Sequence, residues 1–440
     1  MLAKVALRTL ILSAALSASV RAADVPPDTL YVRCGKLMSS ADAPLRGPLT
    51  MIVKGNTIAA IAESLPAPEG AHELDLSRYT VVPGFIDSHI HLWTGPYTPG
   101  TTPSFALQAL RAQKALEHAL QFGVVGVRVV GAFGFVDIAL QKAVEEGTIR
   151  GPRMLAAGHP IMIPGGHGDY YDFPSTLPLR DFYIPLNGFV NSPADAEEAV
   201  HLQVKYGART IKMFASGGVG SPLDSPDAQQ LSPEEMRVVV QQAHMAQLKV
   251  AAHGESRGAI LDALHAGIDS LEHASDLDKE AIQYMKKHRV WWVPTVHILD
   301  TIVSGAQSAP DYELRKGKAL AAKHFASFKL GLQNGLASQL VAGSDMKYEP
   351  GGGSLLDEMI ALVKYGATPQ QALAAGTKNG ASLAGWDDMG TLEVGKEADF
   401  VALEGDPTRD ITVIKKTKYV VFQGRVIVSP PERSMAAGNY

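Results

Sequence analysis

The sequence predicts an α/β fold, a (β/α)8 TIM-like barrel accompanied by a small β-sandwich domain that both chain ends form. After residue 80 the chain alternates between short β-rich runs and helical patterns, which indicates parallel strands joined by crossover helices. On either side of that region, β-rich runs follow one another without helices between them, which is typical of antiparallel strands. A chain of 440 residues, 46% of them hydrophobic, can bury the large core that such a fold needs.

The first 22 residues differ in composition from the rest of the chain. Two positive charges in MLAKVALR precede the short apolar run TLILSAALSASV, and small residues follow in VRA. This order is typical of a secretory signal peptide that is cleaved after Ala22, so we expect an exported protein, periplasmic or secreted. The alternative is an uncleaved membrane anchor, although the apolar run is short for a transmembrane helix.

Both ends of the mature chain are expected to form the small domain. The runs TLYVRCGKL, LTMIVKGNTIAAIAE and AHELDLSRYTVV precede the barrel, and GTLEVGKEADFVALEGDP and YVVFQGRVIV follow it. We therefore assign residues 23–80 and 390–440 to the small domain and residues 81–389 to the barrel. The single cysteine, Cys34, lies in the first run, so no internal disulfide can form and a buried hydrophobic role is expected.

Eight β-rich runs mark the expected barrel strands. In chain order they are YTVVPGFIDSHIH, GVVGVRVV, RMLAAG, RTIKMFAS, KVAAHG, DSLEHA, VWWVPTV and QLVAGSD. Cap residues followed by proline at Ser192, Ser232 and Thr368 predict three helix starts between them. A loop over residues 162–192, rich in Gly, Pro, Tyr and Phe, follows the third strand and should cover the face where such barrels carry out chemistry.

Charge and missing motifs exclude several classes of function. The formal net charge of −5, without a run of like charges, gives no electrostatic case for binding nucleic acid or an acidic membrane surface. The sequence lacks the patterns G-x-S-x-G, H-E-x-x-H and G-x-x-x-x-G-K-[ST]. A serine hydrolase with that nucleophile motif, a metalloprotease with that zinc motif and a P-loop nucleotide site are therefore not expected.

The strongest functional signal is a set of polar side chains at predicted strand ends. His89 and His91 are two residues apart in GFIDSHIHL, so they point to the same side of the first strand. Further polar residues lie at or near the ends of later strands: Lys212 on the fourth, His253 on the fifth, His273 on the sixth and Asp345 on the eighth. Because the carboxyl ends of barrel strands meet at one rim, this set predicts a metal site.

This pattern of residues resembles the amidohydrolase superfamily. The opening sequence VVPGFIDSHIHL and the closing sequence GTLEVGKEADFVAL extend the resemblance over nearly the whole mature chain. Within the superfamily, RTIKMFASGG, PGGHGD and SLEHAS are similar to a bacterial branch of prolidase-like dipeptidases and carboxypeptidases. Some relatives of that branch hydrolyse the amide bond of the mycotoxin ochratoxin A. The resemblance also implies a homo-oligomer, with an octamer as one expected size.

The resemblance implies a site for two divalent metal ions. Zinc is the expected metal, with manganese, cobalt and iron as alternatives. The implied ligands are His89, His91 and Asp345 for the more buried ion, His253 and His273 for the more exposed ion, and Lys212 for both.

Lys212 is implied to be carboxylated by carbon dioxide. A carbamate has two oxygens that can bridge two ions, and it removes the cost of burying a cation. The implied reaction is attack of an activated water on an amide carbonyl. Asp345 is implied to accept the proton of that water and to pass it to the leaving nitrogen.

Four further residues are candidates for contacts with the substrate: His167, Tyr170, His297 and Arg257. His167 and Tyr170 lie on the long loop, where a histidine could bind a carbonyl oxygen or a carboxylate, unless the loop is packed by its own aromatic side chains. His297 follows the seventh strand. Arg257 follows the fifth strand and could bind a free carboxylate, or it is a solvated arginine at a helix start.

The leading hypothesis is a binuclear metal-dependent hydrolase of C–N bonds. It would release a C-terminal amino acid from dipeptides or N-acyl amino acids, and ochratoxin A, which would release phenylalanine, is one candidate substrate. The alternatives are a mononuclear deaminase or cyclic-amide hydrolase of the same superfamily, and a non-catalytic scaffold. Lys212 argues against the mononuclear alternative, because a single ion needs no bridging ligand. The expected partner is a small-molecule substrate, without nucleic acid and without a membrane after signal cleavage.

Overall fold

The structure is a computed structural model that describes residues 29–92, 103–169, 182–306, 309–346, 348 and 354–430. The predicted signal peptide, residues 1–22, lies outside the described residues, as does Tyr170. The described strands are β1 Thr29–Leu37, β2 Leu49–Lys54, β3 Thr57–Ala62, β4 His72–Pro83, β5 Phe85–Ile90, β6 Val124–Val129, β7 Arg153–Ala156, β8 Thr210–Phe214, β9 Lys249–Gly254, β10 Ser270–His273, β11 Trp291–Val293, β12 Phe400–Leu403, β13 Thr417–Phe422 and β14 Arg425–Val428.

Helices follow most of the strands in the central part of the chain. The described α-helices are α1 Phe105–Gln121, α2 Val136–Glu145, α3 Pro193–Tyr206, α4 Pro233–Met245, α5 Arg257–Ala266, α6 Lys279–His288, α7 Val296–Ser304, α8 Asp311–Gln333, α9 Leu355–Lys364, α10 Pro369–Ala375 and α11 Lys378–Ala384. No helix in these ranges combines the length and the apolar character needed to cross a membrane.

The three helix starts that proline and a cap residue predicted are confirmed. Ser192, Ser232 and Thr368 each accept a hydrogen bond from a backbone N–H in the first turn of α3, α4 and α10. In α4 and α10 the residue three positions after the cap also bonds back to the cap, which completes a capping box.

The chain ends form one seven-stranded sheet in the order β14-β13-β12-β4-β1-β2-β3. The sequence pattern predicted antiparallel strands throughout, but β1 and β4 are parallel. The reason is that β2 and β3 add to one edge of β1, so residues 63–71 must cross the sheet before β4 can pair with the other edge. The division into a separate β-sandwich domain stays a prediction.

The seven-stranded sheet has a hydrophobic core of its own, to which β1, β2, β4, β12 and β13 contribute. Cys34 lies in this core with 1% of its surface exposed. Burial raises the pKa of its thiol to about 12, so the thiolate does not form near neutral pH. The expected role of Cys34 as a small buried hydrophobic residue is confirmed.

The central strands form two parallel sheets, β5-β6-β7 and β8-β9-β10-β11. Single bridges join their edges: Ile161 pairs with Met213, Trp292 with Leu340, and Ile90 with Met346. Seven of the eight predicted barrel strands are therefore present in an α/β arrangement, and the described strands do not form a continuous closed barrel.

The eighth predicted run, QLVAGSD, is not a strand in the structure. Asp345 has a φ of 56°, a left-handed conformation that interrupts an extended ladder. At Gly343 a Cβ atom would lie 2.5 Å from the Cβ of His89, so the segment passes too close to β5 for a regular side chain. The segment nevertheless bonds to β5, because the N–H of Ser88 donates to Ala342 and the N–H of Asp345 donates to His89.

Candidate metal centre and active site

The structure brings five of the six predicted metal ligands together in two adjacent groups. In the first group, His89, His91 and Asp345 offer ligand atoms within 4.8 Å of one another. In the second group, His253 and His273 do so together with a residue that the sequence analysis did not single out, Glu255. The groups adjoin, since the ring centroids of His89 and His273 are 5.0 Å apart and those of His253 and His273 are 4.5 Å apart.

Each of the four histidines contacts a neighbouring group through one ring nitrogen. The fixing contacts are His89 Nδ1 to Glu272 Oε2 at 2.7 Å, His91 Nδ1 to the Gly131 carbonyl at 3.2 Å, His253 Nε2 to the Gly217 carbonyl at 3.0 Å and His273 Nδ1 to Thr295 Oγ1 at 2.6 Å. Such contacts determine the tautomer and the orientation of a metal-binding imidazole.

Two further ring nitrogens of these histidines make the centre a candidate cation site. His89 Nε2 and His253 Nδ1 are buried and have no hydrogen-bond partner among the described residues. A buried polar atom without a partner is costly, and most such atoms in native proteins have one. Burial also lowers the pKa of His89, His253 and His273 well below the usual value, which keeps the imidazoles neutral and their lone pairs available. The donor set therefore fits a divalent metal ion.

Lys212 is buried in the middle of β8, with 1% of its surface exposed. Its positive charge acts on the pKa of His89 in one group and of His253 in the other. Burial lowers the pKa of the Lys212 amine to about 8, against the opposing effect of Glu272 and Asp345. Because only a neutral amine reacts with carbon dioxide, this environment favours carboxylation more than that of an exposed lysine.

Asp345 contacts both histidines of the first group. Its Oδ1 lies 3.3 Å from His91 Nε2 and 3.5 Å from His89 Nε2, and its N–H donates to the His89 carbonyl at 2.7 Å. Burial alone would raise the pKa of the Asp345 carboxyl, but the two histidines lower it to about 2. The carboxylate is therefore ionised at neutral pH and can bind a cation.

A buried ion pair that the sequence analysis missed supports the first group. Arg128 on β6 donates to Glu272 Oε1 at 2.7 Å, to Ser270 Oγ at 2.8 Å and to the Ser88 carbonyl at 2.6 Å. Glu272 in turn holds His89, so Arg128 neutralises the carboxylate that positions a metal ligand. The signal for Arg128 was a charge inside the apolar run VVGVRVV, which is unfavourable unless a partner is present.

Glu255 forms a second buried contact that the sequence analysis missed. It has 4% of its surface exposed, and Ser275 donates a short hydrogen bond to its carboxylate. Burial raises the pKa of the Glu255 carboxyl to about 8. Its spacing of two residues from His253 in HGES was the available signal, because strand alternation places such residues on the same side.

His167 lies directly against the second group. Its ring stacks on His253 with centroids 4.3 Å apart, and its Nδ1 lies 2.8 Å from Ser221 Oγ and 3.4 Å from Asp224 Oδ2. Lys316 on α8 forms an ion pair with the same aspartate at 2.8 Å. The structure therefore places this loop histidine beside the candidate centre.

Two other candidates for substrate contacts are joined to different partners. Arg257 is about half exposed and forms ion pairs with Asp278 and Glu280 on the neighbouring α6. The backbone N–H of His297 donates to Glu358 at 2.7 Å, and burial lowers the pKa of its ring. The described contacts do not join either side chain to the metal ligands, and Tyr170 lies outside the described residues.

Comparisons with known proteins agree with this arrangement. The model of the amidohydrolase family matches residues 80–427. Ochratoxinase from Aspergillus niger is 30% identical over 423 residues, which cover 91% of this chain and 86% of that enzyme. Its crystal structure has a TM-score of 0.79 at 27% identity and covers 92% of this chain and 96% of the other. A Xaa-Pro dipeptidase solved with methionine in its active site has a TM-score of 0.82 at 27% identity and covers 91% of this chain and 100% of the other.

Proposed function

The chain belongs to the amidohydrolase family, in its prolidase-like branch, and is a hydrolase of amide bonds, and from this premise we propose that it uses two metal ions to release a C-terminal amino acid from dipeptides or N-acyl amino acids. The observation that carries the proposal is the pair of adjacent ligand groups with a buried lysine that acts electrostatically on both. One ion would need one group, and it would leave the other group of buried donors unsatisfied.

The proposed ligand assignment follows the two groups. His89, His91 and Asp345 would hold one ion, His253 and His273 the other, and carboxylated Lys212 would connect them. Zinc is the proposed metal, since imidazole and carboxylate ligands suit it. When bound, such ions lower the pKa of a water molecule toward neutrality and polarise the carbonyl of the substrate.

The residues of the chain would then move the proton and position the substrate. Asp345 would accept a proton from water and pass it to the leaving nitrogen, the role that the resemblance implies, and its carboxylate is ionised and lies beside both histidines of the first group. His167 is placed beside the centre, where it can bind the carbonyl oxygen or the free carboxylate of the substrate.

The relatives support the proposed substrate class. One of them is named for ochratoxin, and two solved relatives at 27% identity are a Xaa-Pro dipeptidase and a prolidase in complex with N-methylphosphonate-L-proline. We propose dipeptides and N-acyl amino acids as substrates, with ochratoxin A, which would release phenylalanine, as one candidate.

Two further proposals rest on the sequence alone. The composition of residues 1–22 supports export to the periplasm or the medium, and the resemblance to the prolidase-like branch supports a homo-oligomer, for which an octamer is one size to test. Mass spectrometry of the mature N-terminus and light scattering of the purified protein would measure both.

The test of the binuclear proposal is Lys212→Ala, with Lys364→Ala as the control, because Lys364 is exposed and forms a surface ion pair. We expect Lys212→Ala to fold, to bind fewer than two ions per chain by elemental analysis and to lose nearly all hydrolysis of a panel of dipeptides and N-acyl amino acids. Added small carboxylic acids should restore part of the rate, because they can replace the carbamate. Full activity of this variant without such acids would refute the proposal.

The number of metal ions bound per chain, together with activity, separates the binuclear hydrolase from the mononuclear enzyme and from the scaffold. One ion per wild-type chain would favour a mononuclear deaminase or cyclic-amide hydrolase. Two ions without hydrolysis of any amide in the panel would favour a scaffold.

A further inference from the structure

Glu255 lies beside the second ligand group, directly after β9 ends at Gly254. Its carboxylate has an oxygen within 4.8 Å of ring nitrogens of both His253 and His273. The residue is buried, and its own N–H donates to Ser216 Oγ at 2.8 Å. The backbone at this position is therefore fixed, and the carboxylate stands next to two imidazoles.

One oxygen of the Glu255 carboxylate accepts a hydrogen bond. Ser275 donates its hydroxyl hydrogen to Glu255 Oε2, and His324 Nδ1 on α8 lies 2.8 Å from the same hydroxyl oxygen. A hydroxyl has one hydrogen, so once it donates to Glu255 it must accept from His324. Within the part of the chain that the structure describes, Ser275 is the single hydrogen-bond donor to this carboxylate, and the other oxygen is left for a further partner.

Glu255 differs from the other buried glutamates near the centre in forming no ion pair and accepting no backbone N–H within the described ranges, although the charge of Lys212 acts on it from a distance. Glu272 forms an ion pair with Arg128, and Glu358 accepts the backbone N–H groups of Val296 and His297. A buried carboxylate without such partners is unfavourable, and a cation close to it removes much of that cost. The position of Glu255 beside two neutral imidazoles therefore indicates a cation as its missing partner.

We propose that Glu255 is a third protein ligand, with His253 and His273, of the more exposed metal ion. This inference rests on the proposed function and adds to it an anionic ligand that belongs to one ion alone. Two histidines and one glutamate form a donor set that zinc uses in catalytic sites. Ser275 and His324 would then orient the carboxylate from behind the ion, as outer partners orient metal ligands elsewhere.

The experiment is a Zn²⁺ titration of the metal-depleted full-length protein, with affinities measured by competition with a chromophoric chelator. We expect Glu255→Gln, which keeps the shape of the side chain, to weaken binding of the same ion that His253→Ala removes, by more than the ~10- to 100-fold that loss of an outer partner causes. Ser275→Ala should weaken that ion less. Glu280→Gln, an exposed glutamate on α6, is the matched control and should bind Zn²⁺ like the wild type.

The comparison of Zn²⁺ affinities among the variants tests the inference whether the wild type binds one ion or two. If the wild type binds a single ion, the binuclear proposal fails, but the inference holds when Glu255→Gln and His253→Ala weaken that ion and His89→Ala does not. Wild-type Zn²⁺ affinity in Glu255→Gln, alongside loss of an ion in His253→Ala, would overturn it. Should Glu255→Gln not fold, Glu255→Asp replaces it in the Zn²⁺ titration. This variant withdraws the carboxylate by one methylene group, and the same outcomes support or overturn the inference.

Discussion

At the scale of single residues, the candidate centre depends on which ring nitrogen of each histidine is already bonded to the protein. His89 is the one of the four whose fixing partner is a carboxylate, Glu272, and that carboxylate is itself paired with buried Arg128. Because both charges are buried, their interaction is screened little by solvent. The orientation of His89 therefore depends on an ion pair that contacts no substrate.

This dependence predicts the effect of Glu272→Gln. The amide could still contact His89, but it would leave the guanidinium of Arg128 buried without a counter-charge. We expect the affinity for the ion held by His89 to fall about ten- to one hundred-fold. We expect the free energy of unfolding to fall by about 3–5 kcal/mol, the usual loss when one partner of a buried pair is removed. Chelator competition and urea unfolding measure the two effects.

Glu280→Gln serves as the control for this prediction as well. Glu280 and Arg257 form an exposed ion pair, which is worth at most about 1 kcal/mol. If Glu272→Gln changes unfolding and metal affinity as little as this control does, Glu272 does not position His89.

Part of the site could be predicted from the sequence, and part could not. Strand alternation predicted that His89 and His91 lie on one side of the first barrel strand, and the expected convergence of strand ends linked Lys212 and Asp345 to them. Arg128 and Glu272 were missed, because their partnership joins residues 144 positions apart, and no local pattern encodes it.

At the scale of elements, the loops that follow strands determine how close His167 lies to the second ligand group. Gly218, in the loop after β8, has no room for a Cβ atom, which would lie 2.4 Å from the ring of His167. The N–H of Gly218 also donates to Asp224 at 2.7 Å, so the loop backbone cannot move away easily. The position of the histidine is therefore set by a glycine on a different element.

Gly218→Ala should displace the His167 ring and leave the fold intact, since the φ of Gly218 is not in the left-handed region. We expect kcat/KM for amide substrates to fall about ten- to one hundred-fold, as small misplacements near a reacting group do. Thermal unfolding should change little. Gly258→Ala, with only one atom 3.9 Å from the new Cβ, is the control, and equal rates for both variants would show that His167 has no part in the reaction.

Helix caps allow a prediction about stability alone. The Ser232 side chain and Glu235 form the capping box at the start of α4, away from the metal ligands. Ser232→Ala should lower the free energy of unfolding by about 1 kcal/mol without changing metal content or turnover. Urea unfolding measures the loss, and a change in metal content in this variant would show that α4 is coupled to the centre.

Helices and strands were predicted correctly where a local sequence pattern specifies them. The prediction failed where contacts between distant segments determine the backbone conformation or the strand pairing. The caps of α3, α4 and α10 were read from four residues each. The eighth strand was not formed, and the left-handed conformation of Asp345 and the close approach of Gly343 to His89 are features that a β-rich composition cannot reveal. The parallel pairing of β1 with β4 was missed for a similar reason, since it depends on the order of strands across the sheet.

At the scale of the whole molecule, the candidate centre draws on many separated segments of the chain. Its ligands lie on or just beyond β5, β8, β9 and β10 and in the segment before α9, and a single residue, Gly84, separates β5 from β4 of the seven-stranded sheet. A metal ion bound there would add a further link between these segments. Binding to the folded state alone stabilises a protein by mass action.

Removal of the metal should therefore lower the thermal stability of the entire chain. At a free metal concentration of about one hundred times Kd, each ion stabilises the folded state by about 2.7 kcal/mol. We expect a chelator to lower Tm by several degrees and added Zn²⁺ to restore it, with the shift measured by calorimetry at fixed protein concentration. Asp345→Asn and His253→Ala each lack a ligand of one group, so metal should change their Tm less than that of the wild type. Ser232→Ala is the control: its Tm should be lower from the start, and metal should change it as much as in the wild type. An unchanged Tm after complete removal of metal would mean that the buried donors are stable without a cation, and this result would contradict the metal centre itself.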